Sequence, residues 1–388
     1  MPPAPPPGRR KGASPARPAG ARAPDAIVIG SGLVGLASAL ALAERGLRVL
    51  LLADVRRGEA SPAAGGLLAP SVDPVAGAAL DFAIAARDRF PAYVAALVAA
   101  TGVDVPIRCD GVLHVAETED DALLLQAAVT AEHARANGAE WVDASALARL
   151  EPSLSPLPGA VLHPRDGVVN NLVLMRALKA RLGAHSRVTV AAEAADALIV
   201  RDGAVAVRTR SNVELRAPTV VLAGGVWSTQ LAGLPRPLPV EPARGQMLSV
   251  AATLVNRPVL GRDGYLIPRG DGRTLLGGTL ERVGYDADTT PDGLALVRSL
   301  CEALCPAVVQ ARTLNGWAGL RPMSPDHLPI IDREPEAPGL IYATGHSRNG
   351  VLLAPLTGDA VAQLATGQTP EFDLGPFRVG RFVEARGP

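Results

Sequence analysis

The chain has 388 residues, 38 basic and 38 acidic side chains, and a formal net charge of zero. At about 150 residues per domain this length predicts two or three domains around a large core. Balanced charge argues against a nucleic-acid-binding protein, which would carry a basic face.

Residues 1–24 are rich in Pro, Ala and Arg and lack acidic residues. Such a segment cannot bury enough apolar surface to offset its ordering entropy, so a disordered, dispensable tail is expected. The fold begins at Asp25. Ala26-Ile27-Val28-Ile29 has the continuous apolar character of a buried parallel strand. Gly30-Ser31-Gly32-Leu33-Val34-Gly35 follows, then a helix over Leu36–Arg45 ended by Gly46, then a second strand over Arg48–Leu52. This is a β-α-β unit with G-x-G-x-x-G between strand and helix. The first glycine allows the tight turn, the second lets backbone approach a pyrophosphate, and the third lets helix and strand pack closely. The helix start offers N–H groups and a positive dipole end to phosphate. Asp54, at the end of the second strand, is the candidate acceptor for a ribose hydroxyl, which favours FAD or NAD over NADP.

Further along, a helix is expected over Leu172–Leu182, strands over Val188–Val190 and Thr219–Ala223, and a hairpin around Asp202-Gly203. A third strand-to-glycine junction runs from Gly339 to Gly345, with a helix from Ala354 onward. Stretches Gly111–Ala116, Gln246–Val250, Tyr265–Pro268 and Thr274–Gly278 read as antiparallel strands. The fold class is α/β: a Rossmann-type, glutathione-reductase-like nucleotide-binding domain interrupted by an α+β domain with a mostly antiparallel sheet. The expected division gives the nucleotide-binding domain residues 25–104, 162–240 and 316–370. The second domain takes 105–161 and 241–315, and 371–388 form a C-terminal extension.

Lys11 and Lys179 are the only lysines, so an internal Schiff base is not expected. Cys109, Cys301 and Cys305 make neither a disulfide framework nor a zinc site. Cys301 and Cys305 read as small core residues, and the six histidines lack metal-ligand spacing. No apolar run reaches the roughly 18 residues of a membrane span, and a signal peptide is not expected. The expected compartment is the cytoplasm, with no membrane insertion, nucleic-acid partner or metal.

Four stretches carry more than a generic dinucleotide fold. They are Ser61–Pro70 (SPAAGGLLAP), Val221–Ser228 (VLAGGVWS), Trp317–Pro322 (WAGLRP) and Gly345–Pro355 (GHSRNGVLLAP). Together they resemble the D-amino-acid-oxidase-like FAD-dependent oxidoreductases, and among these the glycine oxidases of bacterial thiamine biosynthesis. The resemblance runs from about Asp25 to Gly367. It implies non-covalent FAD, with the ADP half on Gly30–Gly35 and the strand end, and Ser61 among the cofactor-binding residues. The isoalloxazine would lie against Gly65, Gly66 and Leu67 and against His346, Ser347, Arg348, Asn349, Gly350, Val351 and Leu352. The family usually places Glu at the position of Ala53; here the acid comes one residue later, at Asp54.

The resemblance also implies a substrate site. Arg321 matches a carboxylate-binding arginine, Arg348 a second arginine at the rim, and Tyr265 a pocket tyrosine. Leu280 stands where a methionine is common and would set pocket width. Ser347 replaces a larger residue, which implies a wider pocket. Hydride transfer from Cα to flavin N5 needs no acid or base at carbon, so no acid–base residue is assigned and His346 is read as structural. The implied activity is oxidation of glycine, sarcosine or small D-amino acids, giving 2-oxo acid, ammonia or amine, and hydrogen peroxide. The alternatives are a dehydrogenase of the same fold serving a quinone or carrier, and a non-catalytic flavin-binding module. A homo-oligomer is expected from the same resemblance.

Overall fold

A computed structural model describes residues 23–72 and 75–382, without the side chains of residues 132 and 133. The expected disordered tail lies outside the described residues except for residues 23 and 24. Six strands form the first sheet, in the order Ile330–Arg333, Leu340–Thr344, Thr219–Leu222, Ala26–Ile29, Val49–Leu52 and Val188–Ala191. All neighbours run parallel except the edge strand Ile330–Arg333. Burial on both faces is why Ala26–Ile29 reads as an unbroken apolar run. Ala26 and Val28 face a layer of helices: Leu33–Glu44, Gly77–Thr101, Asn171–Gly183 and Gly350–Ala365. Ile27 and Ile29 face a small antiparallel sheet of Ala195–Arg201, Ala204–Thr209 and Glu214–Arg216. The hairpin joining its first two strands turns at Asp202 (φ 50°) and Gly203 (φ 76°), two positive values of the kind a two-residue turn demands.

The last helix starts at Gly350, four residues earlier than expected, and carries Pro355 inside it. A proline there removes one backbone hydrogen bond, which hides the first turn from a sequence pattern. This helix meets Leu33–Glu44 so closely that a Cβ on Gly358 would lie 2.7 Å from Ala37 O.

The second sheet has eight strands, in the order Thr313–Met323, Glu241–Val250, Thr274–Gly277, Tyr265–Pro268, Val259–Leu260, Val112–Ala116, Gly159–His163 and Glu140–Asp143. It is antiparallel except where Val259–Leu260 meets Val112–Ala116. The expected boundaries at 161/162 and 315/316 fall inside two of these strands. One face packs on the helix Pro291–Leu304 through Leu248, Leu266, Leu276, Val297 and Cys301. Cys301 and Cys305 are buried in that core. The other face looks into the space between the sheets. At the C-terminal end Phe377 is buried edge-on against Phe82, with centroids 5.0 Å apart, so the described part of the extension docks on the long helix.

One buried ion pair joins the long helix to the turn between the strands Gly159–His163 and Gly167–Val169. Arg87, in the long helix, donates to Asp166 at 2.9 Å and to Asn137 at 2.6 Å, and the side chains of Arg87 and Asp166 are 1% and 0% exposed. Ser71 also donates to Asp166. Removing one member of such a pair leaves an uncompensated charge in the interior. Arg87→Met is expected to lower stability by about 3–5 kcal/mol, read as a drop in the urea midpoint.

Candidate functional site

A cleft of about 410 Å³ lies between the two sheets, within the size range of small-molecule sites. Its floor is the turn from Ala26–Ile29 into the helix Leu33–Glu44. Gly30 adopts φ 111°, and a Cβ on it would stand 2.4 Å from Ala223 O. A Cβ on Gly35 would stand 2.0 Å from Gly30 O. A Cβ on Gly32 would meet only Ser61, whose Oγ lies 3.0 Å away. The first and third glycines are therefore required by the fold, whereas the second keeps its backbone open to the cleft. No side chain caps this helix at Gly32, and Leu33 N–H donates to Ser61 Oγ at 2.9 Å. The helix Gly350–Ala365 also begins on the cleft without a side-chain cap. Two helix N-termini thus present their positive ends to one space.

Asp54 lines the cleft beyond the second strand, and its carboxylate accepts from Arg56 Nε at 2.7 Å. Arg56 in turn lies over the Trp227 ring, 5.7 Å from its centroid. Glu59, on the same wall, accepts from Arg56 N–H, and burial pushes its carboxyl above the ordinary range. The segment Gly65–Leu67 crosses the cleft side of the eight-stranded sheet. A Cβ on Gly65 would sit 2.5 Å from Ile267 Cδ1, and one on Gly66 (φ 83°) 2.0 Å from Val169 O.

The loop before the last helix closes another side. His346 is 2% exposed, its Nε2 lies 3.1 Å from Thr357 Oγ1, and burial pulls its imidazole down to about 3. It is neutral at physiological pH and hydrogen-bonded within the fold. Ser347 takes φ 50° and is buried; its N–H donates to Pro322 O, and its hydroxyl lies 3.3 Å from that of Ser324. Arg348 is exposed at the rim, and Leu280, at 51% exposure, lies at the mouth.

Strand alternation brings the substrate-end residues onto one face of the eight-stranded sheet. Gly245 pairs with Gly319, Ala243 with Arg321, and Tyr265 with Gly277. Interior strand glycines mark close approach. A Cβ on Gly245 would collide with the Arg321 guanidinium at 2.2 Å, and one on Gly277 with the Tyr265 ring at 2.2 Å. Arg321 Nη1 donates to Thr279 O at 2.9 Å, and among the described residues it has no carboxylate partner. Sequence reading missed Met247, Thr279, Trp227 and Glu59 on the cleft wall, and Arg269 behind it. Alternation from Tyr265 and Gly245 was the available signal for Arg269 and Met247.

The FAD dependent oxidoreductase (DAO) family matches residues 25–364. The chain belongs to that family. The glycine oxidase of Geobacillus kaustophilus is 31% identical over 368 residues, covering 92% of this chain and 97% of its own. The glycine oxidase of Pseudomonas aeruginosa is 34% identical over 365 residues, covering 90% and 97%. A bifunctional ThiO/ThiG protein from Synechocystis is 31% identical across 94% of this chain, which spans only 55% of that longer protein. The solved glycine oxidase from Geobacillus kaustophilus superposes with a TM-score of 0.88 at 29% identity, covering 93% of this chain and 99% of the other. The L-proline dehydrogenase from P. horikoshii, at 19% identity and a TM-score of 0.83, shares the fold.

As an FAD-dependent oxidoreductase the chain takes FAD, and the cleft fits it. The open backbone at Gly32 is a cradle that a Cβ would fill, and both uncapped helix starts suit an anionic cofactor. Among the described residues no helix is long and apolar enough to cross a membrane, and no cluster of His, Cys, Asp and Glu could hold a metal.

Gly32→Val is expected to fold but to bind FAD at least about tenfold more weakly, measured by fluorescence titration of the stripped protein. His346 gives a pH signature. Its folded value of about 3 lies below the ordinary 6.5, so its contribution is complete above pH 6.5. Below that the unfolded chain takes up a proton that the fold does not, and stability falls towards pH 3. Thermal melts from pH 7 to 4 should therefore fall less steeply for His346→Gln than for the parent.

Proposed function

We propose that this enzyme is an oxidase of glycine, sarcosine or small D-amino acids, releasing 2-oxo acid, ammonia or amine, and hydrogen peroxide. The observation that carries this is Arg321. Its guanidinium lies in the cleft, bonded to a neutral carbonyl and lacking an acid. A substrate carboxylate supplies the missing charge in a bidentate geometry that arginine suits. Tyr265, lying flat on Gly277, offers its hydroxyl to the same carboxylate. Leu280 limits the space at the mouth, and Arg348 adds positive charge at the rim.

Bound without a covalent link, FAD supplies a two-electron acceptor. Gly30, Ser31, Gly32 and Val34 with Ser61 would hold its ADP half, with Gly35 packing the turn beneath them, and Asp54 would stand near the ribose. Gly65, Gly66 and Leu67 would face the ring, as would His346, Ser347, Arg348, Gly350 and Val351, which line the same cleft. The task left to the protein is orientation: clamping the acid group fixes where the α hydrogen points, and positioning of this kind accounts for a large share of a rate acceleration. The neutral, buried His346 takes no part as a base. A substrate whose amine has lost its proton on arrival would give up the Cα hydride to that acceptor, whose two electrons would leave with two protons to oxygen as hydrogen peroxide. Water would hydrolyse the remaining iminium to 2-oxo acid and ammonia or amine.

Support for glycine-like substrates comes from glycine oxidases 31% and 34% identical over nearly their whole length. A role in thiamine biosynthesis follows the same resemblance, and a ThiO/ThiG protein is among the relatives. By the same resemblance we propose a cytoplasmic homo-oligomer.

A substrate panel with peroxide detection in air tests the reading. Glycine, sarcosine or D-alanine should yield peroxide; reduction of an artificial dye alone would make it a dehydrogenase. Arg321→Ala should keep FAD and lose about 3–5 kcal/mol of substrate binding. That is a rise in KM of at least about a hundredfold. An unchanged KM would place the carboxylate elsewhere.

A further inference from the structure

The strand Tyr265–Pro268 alternates Tyr265 and Ile267 towards the cleft, and one step past its end comes Arg269. The backbone of Gly65–Gly66 lies across this row. A Cβ on Gly65 would sit 2.5 Å from Ile267 Cδ1, and one on Gly66 3.6 Å from Arg269 Nη1. The Arg269 guanidinium donates from Nη1 to Gly65 O at 3.0 Å and from Nη2 to Asn171 Oδ1 at 3.4 Å. Asn171 Nδ2 then donates to Ser61 O at 2.8 Å, and Ser61 Oγ accepts from Leu33 N–H at the start of the dinucleotide-binding helix. The network runs from the eight-stranded sheet to the floor of the cleft, and every partner of the guanidinium in it is neutral.

Half-buried Arg269 differs in this from the fully buried arginines among the described residues. Arg87 and Arg244 rest on carboxylates. The acid nearest in sequence, Asp271, is held by Arg273, and among the described residues Arg269 forms no ion pair. A cation drawn out of water and bonded only to neutral oxygens is costly unless opposite charge comes to it. The segment it grips faces the cleft, and a hydride delivered there brings negative charge.

We infer that Arg269 is a positioning residue that holds Gly65–Gly66 and supplies the positive charge that stabilises the electron-rich state of the bound cofactor, raising its midpoint potential. This rests on the flavoenzyme reading above. Preorganised charge of this kind is most effective where water is excluded.

The test is potentiometric titration of FAD-loaded wild type, Arg269→Lys and Arg269→Gln. In Arg269→Gln the equilibrium constant for two-electron reduction should fall at least about tenfold, or about 30 mV. Arg269→Lys should stay within about threefold, with FAD retained in all three. Equal potentials in wild type and Arg269→Gln would overturn the proposal, as would equal losses in the Lys and Gln variants, which would make the role steric. If Arg269→Gln does not fold, Arg269→His provides the reading, since imidazole loses its charge near pH 6.5. Its potential should drop below that of Arg269→Lys as pH rises from 5.5 to 8, and parallel curves would refute the assignment. A wild type that takes up no FAD would instead sink the flavoenzyme reading itself.

Discussion

The molecule depends on backbone meeting backbone at the head of the helix Leu33–Glu44. Gly30, Gly35 and Ala223 come within a distance that leaves no space for a Cβ on either glycine. That approach sets the helix start at the floor of the cleft with its N-terminus uncapped. Gly358 repeats the device within the helix layer, bringing the last helix down onto Ala37 and fixing the second N-terminus beside the first. Side chains larger than hydrogen at these points would separate the layers and scatter the dipoles that an anionic cofactor needs.

The eight-stranded sheet meets the other requirement, which is charge and shape at the substrate end. Glycines at 245 and 277 let an arginine and a tyrosine lie flat on a pleated surface that would otherwise be filled. The opposite face of the same strands is a closed apolar core on the helix Pro291–Leu304. The cleft-side pattern is thus rigid by virtue of what lies behind it. Arg321 on the cleft wall and Arg269 behind it are bonded to neutral oxygens rather than to carboxylates. The acid group of the proposed substrate would supply the charge that Arg321 lacks.

The nucleotide-binding half was legible because its strands are short apolar runs joined to glycines. Ala26–Ile29, Thr219–Leu222 and Leu340–Thr344 all have this form, and each is buried on both faces. The hairpin at Asp202-Gly203 was equally plain, since its turn requires positive φ. The 25-residue helix Gly77–Thr101 carried no such mark. Pro91 stands in its middle and its apolar positions do not confine themselves to one stripe. Pro355 concealed the true start of the last helix for the same reason. Extended strands such as Thr313–Met323 mix exposed and buried positions, so their ends are set by pairing rather than by local pattern. Arg321 stood out through its motif, whereas Arg269 did not, because its meaning lies in the neutral oxygens that the fold brings to it.

Mixing the purified protein anaerobically with glycine while following the visible spectrum tests the central claim most directly. A yellow protein holding about one FAD per chain, bleached by glycine and restored by oxygen with release of peroxide, is the result expected from a cleft built in this way. A protein that stays colourless after incubation with FAD, or a flavin spectrum that no small amino acid bleaches, would contradict it.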